Sequence, residues 1–336
     1  MSEGGLADQT ELLERIPRPR QRTPGSRFGT GLLAAIVLLL AGFTLCRLLG
    51  WDTFTPLAQT ISFTEYALPL AVLVTVFAGV RRKWRTTVVG CLVVAGLFAA
   101  VAPRAIGGEA PADGVPLRLL TLNLRYGAAT DGVLALVREH RPDVLSLQEV
   151  TPEALRELQR AGIDQWLPYH AARPHPGVAG TALYAKAWLT HERGVDRHTT
   201  FDMVRAETVH NGVKLDLVAA HPSPPVPGKP TERWRYDIDR LPRPTSGDGT
   251  VTILAGDFNA TLDHSPLRRL IGYGYVDAAA AVGKGLAPTW QGGWVPPVTI
   301  DHVLVESGVG VRSYQVYDVA ATDHRAIIVD LRLPRT

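Results

Sequence analysis

Two uncharged stretches, Phe28 to Cys46 (19 residues) and Thr86 to Pro103 (18 residues), constrain this chain more than any other feature. Both are rich in Leu, Ala and Val, and as helices rising 1.5 Å per residue each is long enough to cross a bilayer core. Tyr66 to Val80 adds 15 uncharged residues and reaches spanning length once Ile61 to Thr64 join it, with Glu65 left near the interface. A soluble helix normally shows a polar face at helical period, and none of the three does. The expectation is three transmembrane helices within residues 29–103, and not the buried core helices of a soluble domain.

Flanking charge gives the orientation. Arg15, Arg18, Arg20, Arg22 and Arg27 precede the first span, and Arg81, Arg82, Lys83 and Arg85 join the second to the third. Both clusters read as cytoplasmic, the first within a basic tail over residues 1–28. The loop from Arg47 to Glu65 has one basic residue and carries Trp51 and Phe54, so it belongs outside. Three crossings then put everything after Pro103 outside the plasma membrane. A cleaved signal peptide would explain the first span alone, but its charged leader is long and two more spans follow. The Gly/Pro/Ala-rich stretch 104–116 reads as a linker and as a candidate processing site.

The remaining region, 117–336, has a different composition. Residues 104–336 hold 25 basic and 26 acidic side chains, so the chain's net charge of +3 comes from the N-terminal part. No bulk basic footprint of the kind a duplex-DNA binder usually shows is visible. All ten His lie here, which locates the chemistry. Two Cys in 336 residues exclude a disulfide framework or a cysteine-rich zinc module, and 46% hydrophobic with 20% charged residues excludes disorder.

Short apolar runs bounded by turn residues begin at LRLLTLNL and continue through DVLSLQEV, TALYAKAWL, FDMVRAETV, VKLDLVAAH, VTILAGDFN, TIDHVLVES, VRSYQVYDV and RAIIVDLRL. They read as strands. Helical patterns fall at Asp131 to His140, Pro152 to Ala161, Thr231 to Leu241 and Ser265 to Ile271, the second with Thr151 as N-cap ahead of Pro152. Many strands with few helices indicate an α+β class with stacked sheets.

Polar groups gather at the strand ends: Asn123, Glu149, His221, Asp257 with Asn259, Asp301 with His302, and Asp323 with His324. Each alone could cap a turn. Together they are harder to explain that way, because ionised groups beside a core are costly unless paired or bound to metal. Carboxylates without thiolates or a His-x-x-x-His pair favour Mg²⁺ or Mn²⁺ over structural zinc. Such an ion polarises phosphoryl oxygens, an imidazole oriented by a carboxylate supplies acid-base capacity, and Asn amides donate to phosphate oxygens. The set suits metal-assisted phosphoester hydrolysis.

In order, TLNLR at Thr121 to Arg125, LQEV at Leu147 to Val150, HP at His221, GDFNA at Gly256 to Ala260, IDHV at Ile300 to Val303 and TDHRA at Thr322 to Ala326 resemble the endonuclease/exonuclease/phosphatase superfamily. The resemblance covers Leu117 to Leu333 and implies a two-sheet β-sandwich flanked by helices in four layers, with a metal-dependent site at one end. It implies Glu149 as principal metal ligand with Asn123 and Asp323 beside it. Asp257 would orient or deprotonate the attacking water, and Asn259 would hold the phosphate. Asp301 would orient His324, His221 would contact phosphate or assist the leaving group, and Arg125 would join the substrate-binding set. His302, adjacent to Asp301 in a strand, should face the other way and serve packing.

Three departures stand out. Thr322 replaces a common Ser and keeps the hydroxyl; WVPPVT lacks the Arg often found before Ile-Asp-His; and no DNA-gripping basic loops are evident. Arg233, Arg235 and Arg240 either serve a small anionic substrate or line a solvated helix face. The order of three spans and an external domain also resembles the VanJ-type membrane proteins of actinomycetes, which are associated with teicoplanin resistance.

The leading expectation is a membrane-embedded, extracytoplasmic phosphohydrolase acting on a phosphorylated small molecule or lipid, with a surface nuclease as the alternative. A catalytically dead binding module would have lost some of these residues, and a transporter would carry more intramembrane charge than Glu65.

Overall fold

The computed structural model describes residues 24–108, 113–228, 230–244 and 249–335. Arg15 to Arg22 and residues 109–112 of the expected linker lie outside these. The N-terminal region is helical: α1 (Pro24–Leu49), a short α2 (Leu57–Ile61), α3 (Thr64–Val80) and α4 (Trp84–Val101). α1, α3 and α4 pack against one another around Ala71, Val93 and Leu97. Small residues allow close approach: a Cβ on Gly90 would lie 2.3 Å from Thr75 Oγ1, and one on Gly96 3.1 Å from Thr44 Cγ2.

Two helices are long and apolar enough to cross a membrane, Gly29–Leu49 and Trp84–Ala105, and only 22% of each apolar window is buried, so neither is the core of a globular domain. The third apolar helix, Thr64–Val80, has 17 residues and is shorter than those two. Leu39, Leu73, Val80 and Leu92 all face outward from the bundle.

Beyond Gly114 the chain folds into two six-stranded mixed sheets. In chain order the elements are β1 (Val115–Asn123), α5 (Thr130–His140), β2 (Val144–Gln148), α6 (Pro152–Arg160), β3 (Tyr169–Arg173), β4 (Thr181–Ala185), β5 (Thr190–Gly194), β6 (Val204–His210) and β7 (Val213–Ala220). There follow α7 (Glu232–Asp239), β8 (Thr250–Asp257), α8 (Ser265–Gly272), β9 (Tyr275–Asp277), α9 (Ala278–Ala281), β10 (Asp301–Glu306), β11 (Gly310–Asp318) and β12 (Arg325–Leu333). One sheet has the order β11-β12-β1-β2-β4-β3 and the other β5-β6-β7-β8-β10-β9. Leu117, Leu119, Leu217, Ile253, Val303 and Val329 fill the space between them. α5 and α6 cover the outer face of the first sheet through Val133, Val137 and Leu158, and α7 and α8 cover the second through Trp234, Ile238 and Leu267. The expected α+β sandwich with flanking helices is what the chain forms.

All nine expected strands and four expected helices are present, with Thr151 Oγ1 accepting from Ala154 N at 3.1 Å as the N-cap of α6. Sequence patterning missed β3, β5 and β9. All three are edge strands, short and without the apolar run that a doubly covered strand needs; β5 reads THERG and is largely exposed.

The two halves of the molecule grip one another through buried charge. Asp263, at the start of the turn into α8, receives Arg47 from the end of α1 (Nε–Oδ1 2.8 Å) and Arg104 from beyond α4 (Nη2–Oδ1 2.6 Å). Asp52, fully buried, accepts Arg235 Nη1 at 2.6 Å and Ser265 Oγ at 2.6 Å. Arg235 therefore docks the loop between α1 and α3; it neither binds a substrate anion nor lies on a solvated face. His264 adds an Nε2 contact of 2.8 Å to Ala58 O. Arg104 to Gly108 pack on the domain as well, with Gly285 N donating to Arg104 O and Gly108 N to Ala281 O. The domain thus sits against the end of the bundle formed by Leu49, Thr64 and Val101, while Arg81, Arg82 and Lys83 occupy the far end, about 25 Å away at 1.5 Å per residue.

Burial alone would raise the Asp263 carboxyl, but Arg104 and Arg47 outweigh it and hold it below the ordinary carboxylate range. A depressed folded value means that the docking free energy is fully present above about pH 3.9 and is lost as pH falls below it. Asp263→Asn is expected to leave two buried guanidiniums undercompensated, a loss of about 3–5 kcal/mol. Tryptic cleavage after the buried Arg104 should accelerate in that variant; an unaltered cleavage rate would show that the pair does not hold the halves together.

Candidate active site

Strand periodicity aims the polar residues. Along β1 the residues that face the space between the sheets are Leu117, Leu119 and Thr121, and the next on that face is Asn123. The same alternation runs from Leu217 and Ala219 to His221, from Ile253 and Ala255 to Asp257, and from Val305 and Val303 to Asp301. β1 and β2 are parallel, as are β7 and β8, so Asn123, Glu149, His221 and Asp257 emerge at the same end. β10 is antiparallel to β8 and β12 to β1, which puts Asp301 and His324, at their beginnings, at that end too. The opposite parity turns His302 away: its Nδ1 meets Asp277 at 2.8 Å and its Nε2 meets Ala260 O at 2.8 Å, a packing role behind the site.

Asp257 is the centre. Its Oδ2 accepts Asn123 Nδ2 at 3.1 Å and lies 3.7 Å from both His221 Nε2 and His324 Nε2. Its Oδ1 accepts Asn259 N at 2.8 Å, while Asn259 Nδ2 donates to Pro222 O at 2.9 Å and ties down the loop carrying His221. His324 Nδ1 meets both Asp301 oxygens, at 3.0 and 3.1 Å. Asn123 Nδ2 also donates to Glu149 Oε1 at 3.1 Å, and Tyr126 N donates to Glu149 Oε2 at 2.7 Å. Asp323 accepts Trp290 Nε1 at 3.2 Å and faces Arg125 Nε at 3.6 Å. Asn123, Arg125, Glu149, His221, Asp257, Asn259, Asp301, Asp323 and His324 are all in this cluster, while His302 and Arg235 are not; Trp290 and Tyr126 were missed, the first because an indole donor has no sequence signature, the second because it contributes only its backbone.

Backbone strain accompanies the cluster. Arg125, Tyr126, Glu149 and Asn259 all have positive φ, between 47° and 56°, a conformation that costs a non-glycine residue on the order of 1 kcal/mol. Gly256 is there for a different reason: a Cβ would lie 2.1 Å from Ala220 O and 2.6 Å from Gln148 Nε2, so only glycine lets the sheets close beneath Asp257.

The electrostatics separate the two imidazoles. Burial pushes His221 down to about 4, against the pull of Asp257, and keeps it neutral. Burial also disfavours charge on His324, but the Asp301 and Asp257 carboxylates outweigh it and push the imidazole up to about 10. Asp257 itself is raised by burial and by Asp301. Glu149 is raised chiefly by burial, opposed by its hydrogen bonds from Tyr126 and Asn123.

Asp257, Asp301 and His324 lie close enough to hold a metal ion, their ligand atoms all within 4.8 Å. A protonated His324 balances the same two carboxylates by charge, bonding Asp301 through Nδ1 and standing 3.7 Å from Asp257 through Nε2. Glu149 also keeps open acceptor positions, since only two of its roughly four are used. Hard carboxylate oxygens on Glu149 and Asp323 fit Mg²⁺ or Mn²⁺. Asn123 presents its NH₂ to Glu149 and Asp257 while Oδ1 accepts Arg125 N at 2.9 Å, so a ligand role for it requires the amide reversed.

A family model described as the endonuclease/exonuclease/phosphatase family matches residues 120–324. The chain belongs to that family. Members of the endonuclease/exonuclease/phosphatase family are hydrolases of phosphate esters and are generally dependent on a divalent metal. A comparison with curated protein sequences finds no match. Among solved structures, humanized D. rerio TDP2 with 14 mutations superposes with a TM-score of 0.54 at 14% identity, covering 65% of this chain and 99% of its own. D. rerio TDP2 complexed with single strand DNA product gives 0.53 at 15% identity over 65% and 99%. The Neisseria 3' phosphatase NExo, bound to a product DNA hairpin, gives 0.52 at 16% identity over 63% and 98%. At such identity these share the family's fold.

Removing the Asp301 charge, the largest of those that raise His324, lowers its proton affinity. Asp301→Asn is therefore expected to move the alkaline limb of kcat/KM that follows loss of the His324 proton toward neutrality, while His324→Ala abolishes that limb along with most turnover. A pH profile on the Asp301→Asn protein that overlays the native one would contradict this pairing.

Proposed function

We propose that this chain is a membrane-anchored, metal-dependent phosphohydrolase whose catalytic domain works outside the cell on a phosphate ester or pyrophosphate near the outer leaflet. The observation that carries the proposal is the buried carboxylate of Asp257, whose Oδ2 lies 3.7 Å from both His221 Nε2 and His324 Nε2, with Asp301 on the other ring nitrogen of His324. Asp257, with its raised proton affinity, takes a proton from a water molecule as the water oxygen bonds to phosphorus. The P–O bond to the leaving group breaks, and the leaving oxygen takes the proton held at His324 Nε2, which Asp301 orients from Nδ1. His221 accepts or donates a hydrogen bond at a phosphoryl oxygen, and Asn259 keeps one amide hydrogen for the same purpose. Arg125, lining the same cavity, supplies a positive charge. Mg²⁺ or Mn²⁺ at Glu149 and Asp323, with Asn123 beside them, supplies the positive charge that stabilises the transferring phosphoryl group.

Support for the membrane topology comes from charge and packing together. The basic turn Arg81 to Arg85 is at the end of the bundle remote from the domain, as three crossings with a cytoplasmic N-terminus require. The 17-residue α3 spans with the help of Phe63 and its neighbours or by local thinning of the bilayer. The architecture, like that of VanJ-type proteins, extends the proposal to a lipid-linked cell-wall intermediate and to glycopeptide resistance.

The alternative is an extracytoplasmic nuclease, favoured by the DNA products bound to TDP2 and NExo. Rates on single-stranded DNA and on lipid phosphate by the full-length protein in vesicles decide between them: faster release from DNA selects the nuclease. Glu149→Gln, which removes a charge at constant volume, is expected to eliminate metal-dependent turnover and leave the fold intact. Chelation should do the same reversibly, and Glu149→Gln protein still responding to added Mg²⁺ would show that the cation is held elsewhere. Reporter fusions after Thr336 should be active outside the cell; activity confined to the cytoplasm would overturn the topology.

A further inference from the structure

The cavity that exposes the polar cluster has a volume of about 680 Å³, and part of its wall does not come from the catalytic domain. Gln59, Ser62 and Phe63 line it, and they are the last residues before α3 begins at Thr64. Val226 and Val295, from the loops that follow β7 and precede β10, add apolar lining to the cavity that Glu149 and Asp257 also line. Both loops are fastened to the membrane half: Gln59 Nε2 donates to Pro225 O, and Tyr66 Oη, in the first turn of α3, donates to Pro297 O at 2.7 Å. Beside Val295, Trp294 is fully exposed, as Trp51 and Phe54 are largely exposed on the loop after α1. Indole and phenyl rings in that position suit the boundary between headgroups and hydrocarbon.

Charge argues in the same direction. Arg125 is the one Lys or Arg among the described residues that line the cavity. A nucleic-acid strand, with a phosphate on every nucleotide, is normally matched by several such cations. A single phosphate-bearing head followed by an apolar chain needs one polar end and one apolar wall, which is what this cavity offers.

We infer that the apolar wall built by Phe63, Val226 and Val295 is a binding site for the hydrocarbon chain of a lipid phosphate, which passes from the catalytic cluster over Phe63 into the outer leaflet beside Trp294. The inference rests on the phosphohydrolase reading above and adds the residues that hold the hydrocarbon chain and so select a lipid over a soluble phosphate. The membrane region is then part of the active site and not only its anchor, because Phe63 belongs to both.

The experiment uses the full-length protein in phosphatidylcholine vesicles with two matched pairs of probes. One pair is a long-chain polyprenyl pyrophosphate in the vesicle and isopentenyl pyrophosphate in solution; the other is phosphatidic acid in the vesicle and glycerol 3-phosphate in solution. Within at least one pair the native protein should prefer the lipid. Phe63→Ser and Val295→Ser should each lower kcat/KM for that lipid by about tenfold or more while changing its soluble partner by no more than about twofold, and Phe63→Leu should restore most of the loss. Equal losses on lipid and soluble probe would reduce Phe63 to a structural residue and overturn the inference, as would absence of any lipid preference. No metal-dependent phosphate release from any of the four probes would instead strike at the phosphohydrolase reading itself. A second readout is independent of turnover: brominated phosphatidylcholine should quench a component of the tryptophan fluorescence that Trp294→Phe removes, and an unquenched Trp294 would overturn the bilayer route.

Discussion

Strand polarity is the constraint on which this molecule depends. Each sheet has a parallel pair at its centre, and each of those pairs is flanked by an antiparallel strand that begins where the pair ends. One end of the sandwich therefore receives six chain segments, and the period of two that buries Leu119, Leu217, Ile253 and Val303 sends Asn123, His221, Asp257 and Asp301 into the same seam. Chemistry and core share one pattern. The cost appears locally, as positive φ at Arg125, Tyr126, Glu149 and Asn259 and as a glycine obligatory at 256. A sandwich with some 26 fully packed apolar side chains between its sheets holds such conformations in place.

Within the seam, low polarity sharpens differences that water would erase. His221 and His324 stand at equal distance from Asp257 Oδ2, yet one is held neutral and the other protonated. The main difference is Asp301, which bonds His324 Nδ1, with Asp323 adding to it; the charge held on His324 in turn disfavours one on His221.

The second organising contact lies outside the cluster. Asp263 draws together the ends of α1 and α4 and Asp52 holds the loop between α1 and α3 to α7 and α8, so the domain is seated on the bundle and not merely strung from it. Residues 104–108 pack as part of that seat. Seating brings the turn before α3 to the rim of the catalytic cavity, which a flexible connection would not do.

The sequence by itself carried the apolar stretches, the α+β class, the strands with continuous apolar runs and the carboxylates, imidazoles and Asn side chains of the seam, because each depends on composition or on a period read along the chain. It did not carry the edge strands, whose half-exposed sequences such as THERG lack any apolar run. Nor could it foresee that Arg47, Asp52, Arg104 and Arg235 serve docking, since isolated charges separated by up to 216 positions acquire partners only when the chain has folded. The same holds for the opposite states of His221 and His324 and for Phe63 at the cavity wall. These are decided by distances between segments remote in sequence, and burial, which gives those distances their energetic weight, exists only in the tertiary structure.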